Sequence, residues 1–258
     1  NVGGMDRQIL KRFREPSWNN PVVRFLDSAG NDLIRRKAGV YNTGELAARL
    51  ILALQAAKRP VPKYLELLAA EYNAKQPQRA TFSMYCYWTG EKNLGAIEGV
   101  TATKIGHLQG REVVEVEYDA AKLTFNDLLK QASRMRCAQN VMARSDNQAK
   151  AAATVVGARR VIRTDAAVNT NTTQQYNLSF RPEYYYLPLT RLQATRANAA
   201  VAAGRSADSL LSPGQLALKK RIAGLSRTQK AKLKRNLQPD RSPGGIIAYR
   251  KDLLKFLD

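Results

Sequence analysis

Apolar positions along this chain change period several times, and each change marks an element. PVVRFLD (21–27) alternates apolar and polar as a strand does, SAGND supplies a Gly/Asn/Asp turn, and LIRRK returns, so a hairpin is expected behind a short N-terminal helix. The period then becomes helical. Thr43 is read as the cap of TGELAARLILALQAA, where Leu46, Leu50 and Leu54 share one face. Pro62 is read as the first position of a further helix, VPKYLELLAAEYN. The polar, proline-bearing stretch NAKQPQRA (73–80) marks a boundary.

Beyond it the rhythm differs. ATFSMYCYW (80–88) reads as a strand, TGEKNLGAI as a short helix, and GVTATKIGH and REVVEVEYD as two strands around the turn LQG. Thr124 caps FNDLLKQASRM with Phe125, Leu128 and Leu129 inward, and NVMARS adds a last strand. The order β-α-β-β-α-β is that of a split βαβ unit, so the fold class expected is α/β (α+β) with a ferredoxin-like domain. Residues 151–188 carry no clear period; AVNTNTTQQYN reads as a polar loop and RPEYYYLPLT as an aromatic stretch bracketed by prolines. Three helices follow, opened by Thr190, by Ser212-Pro213 with Gln215, and by Ser226 with Gln229, the last two as capping boxes. The organisation expected is residues 1–75, a domain at 80–163, a loop-rich connection at 164–188 and a basic helical region at 189–258.

Composition narrows the function classes. Forty-two Lys and Arg face twenty-one Asp and Glu, a formal charge of +21, and thirteen of the basic residues but four of the acidic ones lie in 205–258. Such an excess favours polyanions and implies a non-specific contact through 205–258; little aromatic interleaving there argues against base-specific reading. No apolar run is long enough to span a membrane. The start, NVGGMDRQILKRFREPSW, lacks the pattern of a signal peptide, and a soluble protein of bacterial cytoplasm or periplasm is the expectation. The single histidine, His107, leaves little room for Ser-His-Asp chemistry. Two cysteines 51 positions apart, neither in a C-x-x-C, exclude zinc-finger spacing, and no metal or cofactor is expected.

That leaves a thiol as the candidate nucleophile. Cys86 ends a strand shortly before a helix expected to begin near Gly90, where peptide N–H groups and a helix N-terminus favour the thiolate. Tyr85, Tyr87 and Trp88 beside it can build an apolar wall for a methyl or thioether group. The plainer reading of Cys86 is a small core residue at a strand end. Cys137 is open between a resolving thiol, a buried residue and a structural partner of Cys86.

The run YCYWTGEKNLGAIEGVTATKIGHLQGREVVEVEYDAAKLTFNDLLKQA resembles peptide methionine sulfoxide reductase A, over about residues 81–145. That family carries Gly-Cys-Phe-Trp at the strand-to-helix junction, then Gly-Val, a Gly-Tyr turn, a strand opening on Glu and ending in Tyr-Asp, and a Leu-Leu helix. Cys86 matches its nucleophile, Tyr87 and Trp88 its substrate-methyl pair, and Glu112 the acid that protonates the sulfoxide oxygen. Gly99-Val100, Tyr118-Asp119 and Leu128-Leu129 match its scaffold. Tyr85 stands for the motif's Gly, and His107 stands in the Gly-Tyr turn where a hydroxyl would reach the substrate. The family's Gly-Thr-Gln-Tyr-Arg-Ser block has only the Arg-Ser of ARSDNQ (143–148) as an echo. The resemblance implies a thiol oxidoreductase acting on an oxidised protein or small sulfoxide, with Cys137 as resolving thiol and a thioredoxin-like dithiol as reductant. NNPVVRFLDSAGNDLIRRKAGVYNTGELAARLILAL, within 15–58, resembles the second half of a thioredoxin domain, with Pro21 at its cis-proline position and no C-x-x-C ahead of it. This segment would then supply electrons in the chain itself. The alternative is a catalytically inert redox fold that serves as a basic binding or structural module.

Overall fold

The computed structural model describes residues 4–18 and 21–258, and the chain divides into two compact units, 1–73 and 74–258.

The first unit opens with α1 (Met5–Phe13). A hairpin follows, β1 (Val22–Val23) against β2 (Lys37–Ala38), antiparallel with Val22 opposite Ala38, and Leu26 bridges Asp32 nearer the turn. The Asp27 side chain accepts the N–H groups of Ala29 and Asn31 at 2.9 and 2.8 Å and so sets the turn, with Gly30 at φ +86°. Arg24 ties the hairpin to α1: it donates to Glu15 at 2.8 Å, pairs with Asp32, and lies 4.6 Å over the Phe13 ring. α2 (Thr43–Ala56) and α3 (Lys63–Tyr72) complete the unit. The cap of α2 is Asn42, whose Oδ1 takes the Glu45 N–H at 2.7 Å, so Thr43 is the first helical residue and not the cap. Pro62 likewise sits just outside α3 in extended backbone. Asn20, whose peptide precedes Pro21, lies outside the described residues; the Pro21 carbonyl accepts the Gly39 N–H at 2.9 Å.

The second unit is built on a five-stranded mixed sheet, so the molecule is α+β. β3 (Pro77–Ser83), α4 (Tyr87–Gly95), β4 (Val100–Leu108), β5 (Arg111–Asp119), α5 (Phe125–Arg134) and β6 (Asn140–Ala143) run in that chain order. The sheet order is β4-β5-β3-β6-β7, where β7 is Val161–Arg163, joined to β6 in parallel through α6 (Asp146–Val156). The other pairs are antiparallel. One face carries Phe82, Ile105, Val114 and Val116, all fully buried with Leu94, Leu128 and Leu129. The opposite face carries Thr81, Lys104, Glu115 and Glu117, where Arg144 pairs with Glu115, and Arg79 and Arg191 pair with Glu117. β3 starts earlier and stops earlier than the alternation over 80–88 suggests: after Ser83 the ladder is continued only by Met84 N–H on the Glu112 carbonyl, at 3.1 Å.

A helical layer closes the unit: α7 (Tyr176–Ser179), α8 (Pro182–Tyr185), α9 (Arg191–Ala202), α10 (Pro213–Ala223), α11 (Arg227–Asn236) and α12 (Gly245–Leu257). Capping boxes at Thr190, Ser212 and Ser226 start α9, α10 and α11, each worth about 1 kcal/mol. Leu178, Leu187, Leu189, Ile222, Leu233 and Leu253 form their common core. No helix among the described residues is long and apolar enough to cross a membrane.

Candidate active site

Cys86 is itself the N-cap of α4: its backbone is extended (φ −137°, ψ 107°) while its carbonyl already accepts the Gly90 N–H at 3.1 Å. The helix therefore begins at Tyr87, three residues before the start expected near Gly90, and the thiol lies at the helix end rather than a few residues ahead of it. Gly90 is needed one turn on, since a Cβ there would fall 1.9 Å from the Met84 sulfur. A helix leaves its first N–H groups without intrahelical partners. Here the Tyr87 N–H is taken by Glu112 Oε2 at 2.8 Å. This one bond sets a carboxylate from β5 at the residue next to the thiol.

His107 pairs directly across the β4–β5 ladder with Glu112, so both side chains lie on the sheet face that α4 covers. Its ring meets Tyr87 edge-on at 5.4 Å. Cys86, Tyr87, His107 and Glu112 thus come together at the N-terminus of α4. Tyr87 is buried and its hydroxyl lies 3.3 Å from Thr172 Oγ1, while Tyr85 points out to solvent. Trp88 is 37% exposed and stacks on Tyr176 at 3.8 Å, nearly parallel; Tyr176 in turn meets Phe180 edge-on at 4.9 Å.

Cys137 is elsewhere. It is 2% exposed, its thiol faces the Met135 carbonyl at 3.3 Å, and Asn93 Nδ2 reaches its sulfur at 3.7 Å. Burial pushes this thiol above its ordinary range. Asn93 lies two turns along α4 from Cys86, about 10 Å at 1.5 Å per residue. The two thiols are free and sit toward opposite ends of the helix; a disulfide, whose Cα atoms lie within about 7 Å, would require movement.

Several participants gave little or no sign in the sequence. Glu91, 1% exposed on α4, accepts the N–H groups of Gln175 and Tyr176 at 2.8 and 2.9 Å and the Asn198 amide at 3.1 Å. Burial outweighs these bonds and raises its carboxyl from 4.5 to about 7. Glu91 thereby holds the backbone that carries Tyr176 onto Trp88. Gln174 docks the same segment on the free edge of β4: its side chain accepts the Ile105 N–H at 2.9 Å and donates to the Ile105 carbonyl at 2.8 Å. Asn169 and His107 exchange both backbone bonds at 2.9 Å. The signal for Glu91 was its place on the buried stripe Tyr87, Glu91, Leu94; the 169–176 loop gave no local signal, because its partners lie some 60 to 85 positions away.

A polar cavity of about 610 Å³ lies against the charged sheet face, lined by Lys104, Glu115, Glu117, Arg191 and Arg241 among others, and none of Cys86, His107 or Glu112 borders it. No three His, Cys, Asp or Glu side chains converge as a metal site among the described residues.

No family model matches the chain. The peptide methionine sulfoxide reductase MsrA of Methanococcus maripaludis (strain C7 / ATCC BAA-1331) is 30% identical over 69 residues, 20% of this chain and 44% of that protein. The chain thus spans less than half the length of this curated relative.

Proposed function

We propose that the chain is a thiol-dependent oxidoreductase that reduces a sulfoxide, with Cys86 as nucleophile and Glu112 as proton donor. The observation that carries this reading is the Glu112–Tyr87 N–H bond, which sets an acid beside a thiol at a helix N-terminus, where negative charge is favoured. Cys86 sulfur attacks the sulfoxide sulfur, and Glu112 protonates the departing oxygen. Oxygen passes to Cys86 as a sulfenic acid and the thioether leaves; the sulfoxide gains two electrons and the thiol loses two. A dithiol, external or from a thioredoxin-like module, then restores the Cys86 thiol and releases water. If Cys137 resolves the sulfenic acid, α4 or the 135–138 turn has to move first.

Trp88 offers the substrate methyl one face, its other being covered by Tyr176. The Thr173-Gln174-Gln175-Tyr176 run would then fill the role of the Thr-Gln-Tyr block that 143–148 lacks. His107, beside Tyr87 and opposite Glu112, is the residue to contact the sulfoxide oxygen.

The test is thioether formation from methionine sulfoxide, free and in a peptide, with dithiothreitol as reductant. Cys86→Ser should abolish turnover and Glu112→Gln should lower kcat by about 10²–10⁴-fold, the range of general acid catalysis. In Cys137→Ala a dimedone adduct should collect on Cys86 after sulfoxide is added. Turnover that survives Cys86→Ser, or a Cys86 that never oxidises, would overturn the proposal.

A further inference from the structure

We infer that the groove between α8 and α11 docks an acidic polypeptide segment flanking the residue offered to Cys86, an inference that rests on the sulfoxide reading for what that residue is. The groove holds about 390 Å³ and is lined by Ser179, Phe180, Tyr185, Lys230, Lys234 and Gln238 among others. It is connected to the thiol by rings: Trp88, two residues after Cys86, stacks on Tyr176, and Tyr176 touches Phe180, in steps of 3.8 and 4.9 Å. Phe180 is 64% exposed at the groove's mouth. An extended peptide advances about 3.3 Å per residue, so a chain bound at Trp88 reaches the groove about three to six positions away.

Charge identifies the occupant. Neither α10 nor α11 contains an acidic residue, and Lys230 and Lys234, four apart, face the same groove. Like charges at this spacing destabilise a helix by a few tenths of a kcal/mol, and no carboxylate pairs with either lysine among the described residues. Lys230 is held in place by donating to the Ala223 carbonyl at 2.9 Å. Arg241 lies 5.2 Å over the Tyr185 ring and lines the neighbouring polar cavity, so Lys230 and Lys234 are the cations of this groove. On α10, Lys219 is matched by Asp208 and Arg221 by Asp258, and the other basic residues of α10 and α11 lie outside the groove lining. The groove thus offers unneutralised positive charge beside one open aromatic face. A single-stranded nucleic acid needs successive stacking surfaces, and here Tyr186 is buried and Tyr185 is covered by Arg241. A polypeptide needs only its carboxylates and one apolar contact.

The experiment uses the full chain and fluorescein-labelled twelve-residue peptides with one central methionine sulfoxide and either Asp/Glu, Gly/Ser or Lys flanks. Anisotropy should give the acidic peptide a Kd at least about tenfold below the neutral one, with the Lys peptide weaker still. Lys234→Glu should raise the acidic peptide's Kd about tenfold, while Lys232→Glu, an equal charge change on an exposed residue outside the groove, should alter it less than twofold. Equal losses from the two variants would reduce the effect to net charge and overturn the inference. So would a single-stranded oligonucleotide of equal charge that binds tighter with the same dependence on Lys234, since the groove would then belong to nucleic acid. Tight, Lys234-dependent binding of the acidic peptide with Cys86 left unoxidised would uphold the groove and sink the sulfoxide chemistry instead.

Discussion

Glu91 is a carboxyl group nearly sealed from water that nonetheless receives three hydrogen bonds, and the balance between those two facts is measurable. Its carboxyl titrates near 7 in the folded chain against an ordinary 4.5. Between those values the folded state keeps a proton that the unfolded chain releases, so this group's contribution to stability is complete below about pH 4.5 and is lost as pH rises through 7. The span corresponds to about 3 kcal/mol. Glu91→Gln cannot titrate. Urea unfolding of both proteins at pH 4.5, 6 and 8 should show wild type losing ground to the variant by up to that amount; a constant difference would contradict the assignment. The thiols give a second expectation at this scale. Cys86 is partly exposed and Cys137 is not, so a maleimide should label Cys86 promptly in the native state and Cys137 only at the rate of opening. Side-chain placement was partly legible: Cys86, the Tyr87–Trp88 pair and Glu112, read together in the sequence, lie together at the start of α4. Glu91 was not, because a charged residue on an apolar stripe gives no sign of what will offset its burial.

At the scale of elements, the site depends on one edge. β4 has a strand neighbour on one side only, and residues 169–174 cover the other with the Asn169 backbone and the Gln174 side chain. The approach is so close that a Cβ at Gly106 would lie 2.1 Å from the Asn169 carbonyl oxygen. Gly106→Ala should therefore push this segment off the edge, costing about 1–3 kcal/mol as overpacking does. Hydrogen exchange across 165–180 should accelerate while α5 and β6 stay protected; unchanged exchange would mean that the loop is held by other contacts. The strands β4 and β5 and the helices α5, α9, α10 and α11 were legible because alternation, caps and capping boxes are local signals. β7 was invisible: three residues, paired in parallel through a crossover, leave no alternation to read. The alanine-rich α6 offers too little contrast between its faces, although Ser145, whose hydroxyl takes the Gln148 N–H at 3.2 Å, caps it.

For the whole molecule, the excess of positive charge and the packing of the C-terminal helices have to be separated. Residues 205–258 are basic, but they are also structural. The Tyr249 hydroxyl donates to the Tyr186 carbonyl at 2.7 Å, Arg241 donates to the Tyr185 carbonyl at 2.9 Å, and Leu253 is fully buried. Arg196 of α9 donates to the carbonyls of Gly95 and Val100, at 3.0 Å for the latter, fastening the helical layer to α4 and β4. Removing α12 takes at least two large buried side chains from this core, at about 2–5 kcal/mol each, against a total stability of about 5–15 kcal/mol. Truncation at residue 237 should therefore abolish a cooperative thermal transition for the unit 74–258, and any loss of heparin binding in that variant would report unfolding. Charge is isolated instead by Lys220→Gln, Lys232→Gln and Lys251→Gln together, all exposed side chains. The triple variant should keep its melting temperature within a few degrees. If those lysines meet the polyanion, the slope of log affinity against log salt on single-stranded DNA should become shallower by about two, at roughly 0.7 for each phosphate no longer neutralised. An unchanged slope with an unchanged melting temperature would place the polyanion on other cations, and Lys230 and Lys234 beside Phe180 would be the first to substitute next.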